Sequence, residues 1–423
     1  MKRRQFIAGA AGAGAAGFAL TRYGFAQERL GPSLRPVQEG VDPAATPGEA
    51  VESFPRYPVT RLMHALDPRF YKYMVGNTYV QRLWSGAMWA EGPVYFGDLK
   101  TLVFSDIPNN RLMKYDEVTG RMSVLRQPSS FANGNTRDRQ GRLLSCSQDE
   151  RCVIQTEHDG TLTKIAAEYE GQKLNGPNDI VVKSDNSVWF TDPGYGIGSY
   201  YESTHQMNAE LPRAVYRFEP DTGNLEVVSK DQTRPNGLAF SPDEKKLYIC
   251  DTGITDGPDK PSNIMAYDVG DDNRLSNGKV LFDLKKASPQ IASAVENHLR
   301  DFGLLAGAES NRTTGSGGST VASGTSQNAQ QEQGPEAGFF KYGIADGIRL
   351  DQDGNIWAGT GWNGPSMDGV TAIAPDGTPI GRIFLPEVCA NVAFGGEQKN
   401  RLYMAASTSI YAIYLNVPGA MKV

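Results

Sequence analysis

Cysteine and histidine are scarce, with four of each in 423 residues. None of the histidines (His64, His158, His205, His298) recurs at a repeating position, which leaves little for a histidine dyad or a Ser-His-Asp relay. No Cys/His spacing matches a zinc site. Four cysteines do not make a disulfide scaffold in a chain this long. Cys250 and Cys389 fall at apolar strand positions, whereas Cys146 and Cys152 flank a hairpin turn where a bond is conceivable. Past residue 26 there is no apolar run long enough to span a membrane. There is no basic run either, and the net charge is −6, which excludes nucleic acid as a natural partner. Glycine-rich loops with dinucleotide or P-loop spacing are also missing.

The N-terminus carries a targeting pattern. Lys2-Arg3-Arg4-Gln5-Phe6-Ile7 is a twin-arginine start, followed by a Gly/Ala-rich apolar stretch from Ala8 to Leu20 and small residues before Gln27. This reads as a signal peptide over 1–26, with export by the twin-arginine route to the periplasm or the medium and no membrane anchoring after cleavage. Losing its four basic residues from a chain of net charge −6 leaves about −10. Residues 27–75, rich in proline, read as an extended leader with a short helix beginning near Pro68.

From Val80 the chain follows one script. Glycine (47) and proline (25) exceed a sixth of the residues, which fits short strands joined by tight turns. Six segments open on a side-chain oxygen: Glu91, Asn133, Asn178, Asn236, Asp346 and Asn391. Each leads into a strand, a turn, a second strand and a hairpin, giving four antiparallel strands per unit. Such a unit repeated six times predicts an all-β six-bladed β-propeller over 76–416. The last unit, from Asn391, is short of strands, and residues 77–84 are expected to close the ring by supplying the missing outer strand. The spacing of 110 residues between Asn236 and Asp346 reflects an insertion over 286–340 between blades 4 and 5. Its first part is expected to be helical (291–305), and its Gly/Ser/Thr/Gln-rich remainder cannot bury a core.

Chain direction then places the chemistry. The six lead residues precede the innermost strands and so gather at one end of the central channel. The ends of the second strands (Asp106, Ser147, Asp192, Asp251, Thr360, Ser407) reach the same face. Six oxygen donors aimed at one axis, with two carboxylates among them, suit one hard divalent cation. Calcium is favoured, then magnesium or manganese, with zinc last. Local turn bonding by Asn and Asp is the simpler account of any one such residue, but not of six in register. A cation on this axis could polarise a carbonyl or phosphoryl oxygen, and Asp346 is the strongest candidate base. Asp192 is either a substrate contact or a cap of the turn beside it. Trp362 and Tyr195, Tyr200 and Tyr201 offer aromatic walls for a sugar ring, or ordinary loop packing.

Four stretches carry a resemblance: Trp89-Ala90-Glu91-Gly92-Pro93-Val94-Tyr95, Asn175-Gly176-Pro177-Asn178-Asp179-Ile180-Val181, Arg234-Pro235-Asn236-Gly237-Leu238 and Ala345-Asp346-Gly347-Ile348-Arg349-Leu350-Asp351. In this order and spacing they resemble the gluconolactonase/regucalcin-like family over roughly 60–415. The resemblance implies a six-bladed propeller with one catalytic divalent cation that hydrolyses a sugar lactone to an aldonic acid. It implies metal ligands at Glu91, Asn236 and Asp346, a metal or substrate contact at Asn178, and proton transfer by Asp346. Asn133 is read, from the repeat alone, as either a support of the ligand set or a substrate contact. Animal members carry an arginine where Gly176 stands here. Calcium-dependent phosphotriesterases and arylesterases share a similar ring, and a propeller that binds a ligand without chemistry is the remaining alternative.

Overall fold

The computed structural model describes residues 61–304 and 341–420, which belong to one compact unit. The expected signal peptide over 1–26, residues 27–60, the low-complexity stretch 305–340 and residues 421–423 lie outside the described residues. Six four-stranded antiparallel sheets form the blades of a propeller, as the repeat predicts. From inner to outer strand, blade 1 is Ala90–Phe96, Thr101–Asp106, Arg111–Asp116 and Arg121–Arg126. Blade 2 is Ala132–Arg137, Leu143–Ser147, Cys152–Thr156 and Leu162–Ala166. Blade 3 is Ile180–Val182, Val188–Asp192, Ala214–Glu219 and Asn224–Ser229. Blade 4 is Pro235–Phe240, Lys246–Asp251, Asn263–Val269 and Leu275–Asp283. Blade 5 is Ile344–Leu350, Ile356–Gly361, Gly369–Ile373 and Pro379–Phe384. Blade 6 takes Cys389–Gly395, Arg401–Ala406 and Ser409–Tyr414 from the C-terminal end.

The fourth strand of blade 6 comes from the other end of the fold. Gln81–Ser85 pairs antiparallel with Ser409–Tyr414, closing the ring by hydrogen bonds as the sequence predicts. Trp84, 4% exposed, anchors this closing strand against Phe104 of blade 1, with ring centroids 5.7 Å apart. Trp84→Ala is therefore expected to destabilise the fold by about 3–5 kcal/mol, measurable by urea unfolding. A loss under 1 kcal/mol would mean that closure does not depend on this contact.

Two features depart from the sequence reading. The leader is part of the fold from its last residues on: Met63–Ala65 adds a fifth strand to blade 5, and the short helix expected at Pro68 is present as Pro68–Tyr73, capped by Asp67, and buries Phe70 and Tyr73. The helix α1 (Leu284–Asp301) begins at Leu284 rather than near 291, because the Asp283 carboxylate caps it by accepting from the Lys285 amide at 3.0 Å. Its buried residues Leu284, Ser288, Ile291, Val295 and Leu299 recur every three or four positions and pack on blades 4 and 5. All four cysteines are free and buried. Cys146 lies opposite Val153 and Cys152 opposite Ser147, so the register puts the two thiols on opposite faces of blade 2.

Candidate active site

The six lead residues are all buried at the start of the inner strands, with exposures between 2% and 8%. A local break in strand register delivers them. Blades 1, 2, 4, 5 and 6 each carry a bulge at the lead position, between Glu91 and Val94, Ala132 and Asn135, Pro235 and Leu238, Ala345 and Ile348, and Cys389 and Asn391. A bulge turns a side chain away from the regular alternation. In blade 3 the strand starts just after the lead residue, and the Asn178 amide donates to Thr191 O at 2.8 Å.

The glycine after a lead residue lets the next blade close in. A Cβ on Gly92 would lie 2.2 Å from Asn133 O, and one on Gly237 would lie 2.1 Å from Asp346 O. At Glu91, Asn133 and Asn236 the backbone thus abuts the lead residue of the next blade.

Glu91 and Asp346 are the two carboxylates of the ring. Burial pushes Glu91 up to about 8, with repulsion from Asp179 and Glu202 adding to it and bonds from the Gly92 amide and Asn391 opposing it. Its Oε2 accepts from the Gly92 amide at 2.7 Å and from Asn391 Nδ2 at 3.1 Å. Burial likewise drives Asp346 well above the usual carboxylate range, followed by the charges of Glu91, Asp179 and Glu202, with Asn236 bonding in the other direction. Two buried carboxylates that repel each other ionise together only beside a positive charge. Among the described residues no three His, Cys, Asp or Glu side chains converge as a metal site. Any cation here therefore needs the amide oxygens as well. Two carboxylates with the oxygens of Asn178 and Asn236 form an all-oxygen set that fits a hard divalent cation.

Several surrounding residues escaped the sequence reading. Arg349 of blade 5 reaches Asp179 of blade 3 across the channel at 3.3 Å, in the shell next to the ring. It stands where the other inner strands carry Val, Ala, Thr or Phe, and Asp179 stands where four repeats carry glycine. That paired break in the pattern was the available signal. Glu202 comes from the long loop of blade 3. Burial raises it, with bonding to Gln148 and the charge of Arg234 opposing, and its own charge is felt by both Glu91 and Asp346. Next to it Tyr201 Oη donates to Met88 O of blade 1 at 3.3 Å, so this loop crosses the mouth. Arg234 lies 3.8 Å over the Tyr195 ring.

Trp362, with φ of 74°, packs against Trp89, centroids 5.6 Å apart, and forms an aromatic wall shared by blades 5 and 1. Asn133 and Asn178 sit in the ring with the metal-site candidates. Asp192 is placed differently from a substrate contact. It has no exposed surface, and its Oδ2 accepts the Asn175 amide at 2.8 Å, so it caps the turn leading to Asn178. No histidine enters the ring: His205 lies beside Asp149 in the blade 3 loop at 3.6 Å, and His64 packs on His298 at the edge of blade 5.

The comparisons agree with this geometry. The profile of the family described as SMP-30/Gluconolactonase/LRE-like region matches residues 89–297 and 312–408. A gluconolactonase of Zymomonas mobilis is 26% identical over 368 residues, covering 82% of this chain and 84% of its own length. A lactonohydrolase of Aspergillus oryzae is 25% identical over 353 residues, covering 78% of this chain and 68% of its own. The solved structure of a gluconolactonase from Xanthomonas campestris superposes with a TM-score of 0.64 at 25% identity, over 84% of this chain and 94% of that one. With the propeller, the ring of lead oxygens and the matched profile in agreement, the chain belongs to the SMP-30/gluconolactonase/LRE-like family.

Proposed function

We propose that this protein is a lactonase that hydrolyses a sugar lactone to its aldonic acid with the help of one divalent cation, calcium first among the candidates. One observation carries the reading: Glu91 and Asp346 are both buried, both raised and mutually repelling within a ring of amide oxygens. Glu91, Asp346, Asn236 and Asn178 would hold the cation. When bound, such an ion polarises a carbonyl oxygen and acidifies water. Asp346 is the proton acceptor. Water attacks the lactone carbonyl carbon, its proton passes to the Asp346 carboxylate, and the ring oxygen takes that proton as its bond to the carbonyl carbon breaks. A carboxylate whose proton affinity is raised by burial suits both transfers.

The remaining residues bind and exclude water. Trp89 and Trp362 offer an apolar wall to one face of the sugar ring, and Asn133 and Asn178 offer hydrogen bonds to its hydroxyls. The Tyr201–Glu202 segment covers the mouth. Asp179 pairs with Arg349 at 3.3 Å and ties the inner strands of blades 3 and 5 together beside the ring. The twin-arginine start supports export to the periplasm or medium.

The test is a panel of aldonolactones, aryl esters and phosphotriesters, assayed with calcium and with chelator. Calcium-dependent turnover of lactones above the other classes is expected. Turnover confined to aryl esters or phosphotriesters would move the assignment to those reactions. Calcium-dependent melting with no turnover would leave a binding propeller, and full lactonase activity in chelator would remove the cation.

A further inference from the structure

Three lead residues share a support that the others lack. In blade 1, Asp106 Oδ1 accepts the Met88 amide at 2.9 Å. In blade 3, Asp192 Oδ2 accepts the Asn175 amide at 2.8 Å. In blade 4, Asp251 accepts the Thr233 amide on Oδ2 at 2.8 Å, and on Oδ1 the amides of Arg234 and Gly253, both at 2.9 Å. Each carboxylate ends the second strand of its blade. Each grips the backbone three residues before the lead residue: Met88 before Glu91, Asn175 before Asn178, Thr233 before Asn236. All three are buried, at 0%, 0% and 4% exposure.

The other blades manage the same turn without a charge. Ser147 Oγ donates to Ser130 O at 2.9 Å, three residues before Asn133. Ser407 meets Val388, three residues before Asn391, through its amide at 3.0 Å. In blade 5, Thr360 Oγ1 turns to Met367 O and Gly369 O instead. A serine is therefore sufficient for the turn itself. Burying a carboxylate is far more expensive, yet it occurs in the three blades whose lead residues, with Asp346, make up the proposed cation site. Charge-assisted bonds from backbone amides are roughly twice as strong as neutral ones, and they fix the approach of the chain to the lead side chain.

We propose that Asp106, Asp192 and Asp251 are positioning residues that set the oxygens of Glu91, Asn178 and Asn236 for the cation. The inference rests on the cation reading above. It also ranks two of the sites. Both oxygens of Asp251 accept backbone amides, so the amide group of an asparagine there must face an N–H. Asp192 has one oxygen, Oδ1, with no partner, and an asparagine can turn its NH2 to that side.

Calorimetric titration of calcium into purified wild type, Asp251→Asn, Asp192→Asn and Ser147→Ala, with the melting temperature of each metal-free protein, tests this. Loss of a group that orients metal ligands typically weakens affinity about 10–100-fold. That is expected for Asp251→Asn, with a smaller but measurable loss for Asp192→Asn and wild-type affinity for Ser147→Ala. A merely structural role would lower the melting temperature and leave the calcium Kd of the folded protein unchanged, and that result in both aspartate variants overturns the proposal. If Asp251→Asn does not fold, Asp192→Asn and Ser147→Ala decide it in the same way. Wild type that takes up no calcium is a different failure, since it removes the cation reading and the positioning role together.

Discussion

Asp346→Asn is expected to lower lactonase kcat/KM by about 10³-fold and, in metal-free protein, to raise the melting temperature. The two effects have one origin. Asp346 is buried near Glu91, Asp179 and Glu202, three carboxylates whose charges add to burial in opposing its ionisation. An asparagine keeps the shape and one oxygen but is neutral without a bound proton, so the cost of burying this carboxyl is removed and the metal-free ring relaxes. On the proposed mechanism the same change takes away the proton acceptor and half of the ring's negative charge, so calcium affinity is expected to fall with activity. A destabilised cluster retained at a functional site is the expected signature of a residue kept for chemistry. Steady-state kinetics at saturating calcium separate the two losses. If added calcium restored wild-type kcat, Asp346 would be a ligand only, and the base assignment would fail. An unchanged or lower melting temperature in chelator would argue that Asp346 is not strained by its neighbours.

What was legible in the sequence follows from what repeats. The lead oxygen recurs in all six blades, the glycine after it in four and the aspartate ending the second strand in three, at nearly fixed spacing, because the blades solve the same packing problem. Closure by residues 81–85 was legible because the last blade lacked a strand. Contacts made once were harder to read. Met63–Ala65 is three residues long, and its pairing with Pro379–Phe384 is decided by a contact some three hundred residues away. The Tyr201–Glu202 crossing and the Trp89–Trp362 wall depend on loop paths that no periodicity constrains. The Asp192 placement turned on depth: its spacing put it on the correct face, but only the fold shows that it lies under the turn rather than on the surface of the mouth. Cys146 and Cys152 are close in sequence, yet a shift of one residue in register separates their side chains by a sheet.

The carboxylate ring also predicts how acidity acts on stability. In metal-free protein Glu91 is raised from 4.5 to about 8 and Asp346 is raised as well. Between the unfolded and folded values the native state binds more protons than the unfolded chain, so stability falls as pH rises. The contribution is fully present below about pH 4 and is lost as pH climbs through about 8. Asp192, pushed to about 7 by burial, adds to the slope with the same sign. Calcium in the proposed site is expected to reverse the part due to the ring. Binding requires both carboxylates ionised, so affinity grows with pH and protons are released on uptake. Melting temperatures measured from pH 5 to pH 8 are thus expected to fall in chelator and to hold or rise in saturating calcium, with the gap widest at pH 8. Asp192 titrates in both series, so their difference isolates Glu91 and Asp346. Glu91→Gln should flatten the chelated slope and nearly abolish the gap. Parallel curves for the wild type would mean that its carboxylates do not meet a cation on this axis.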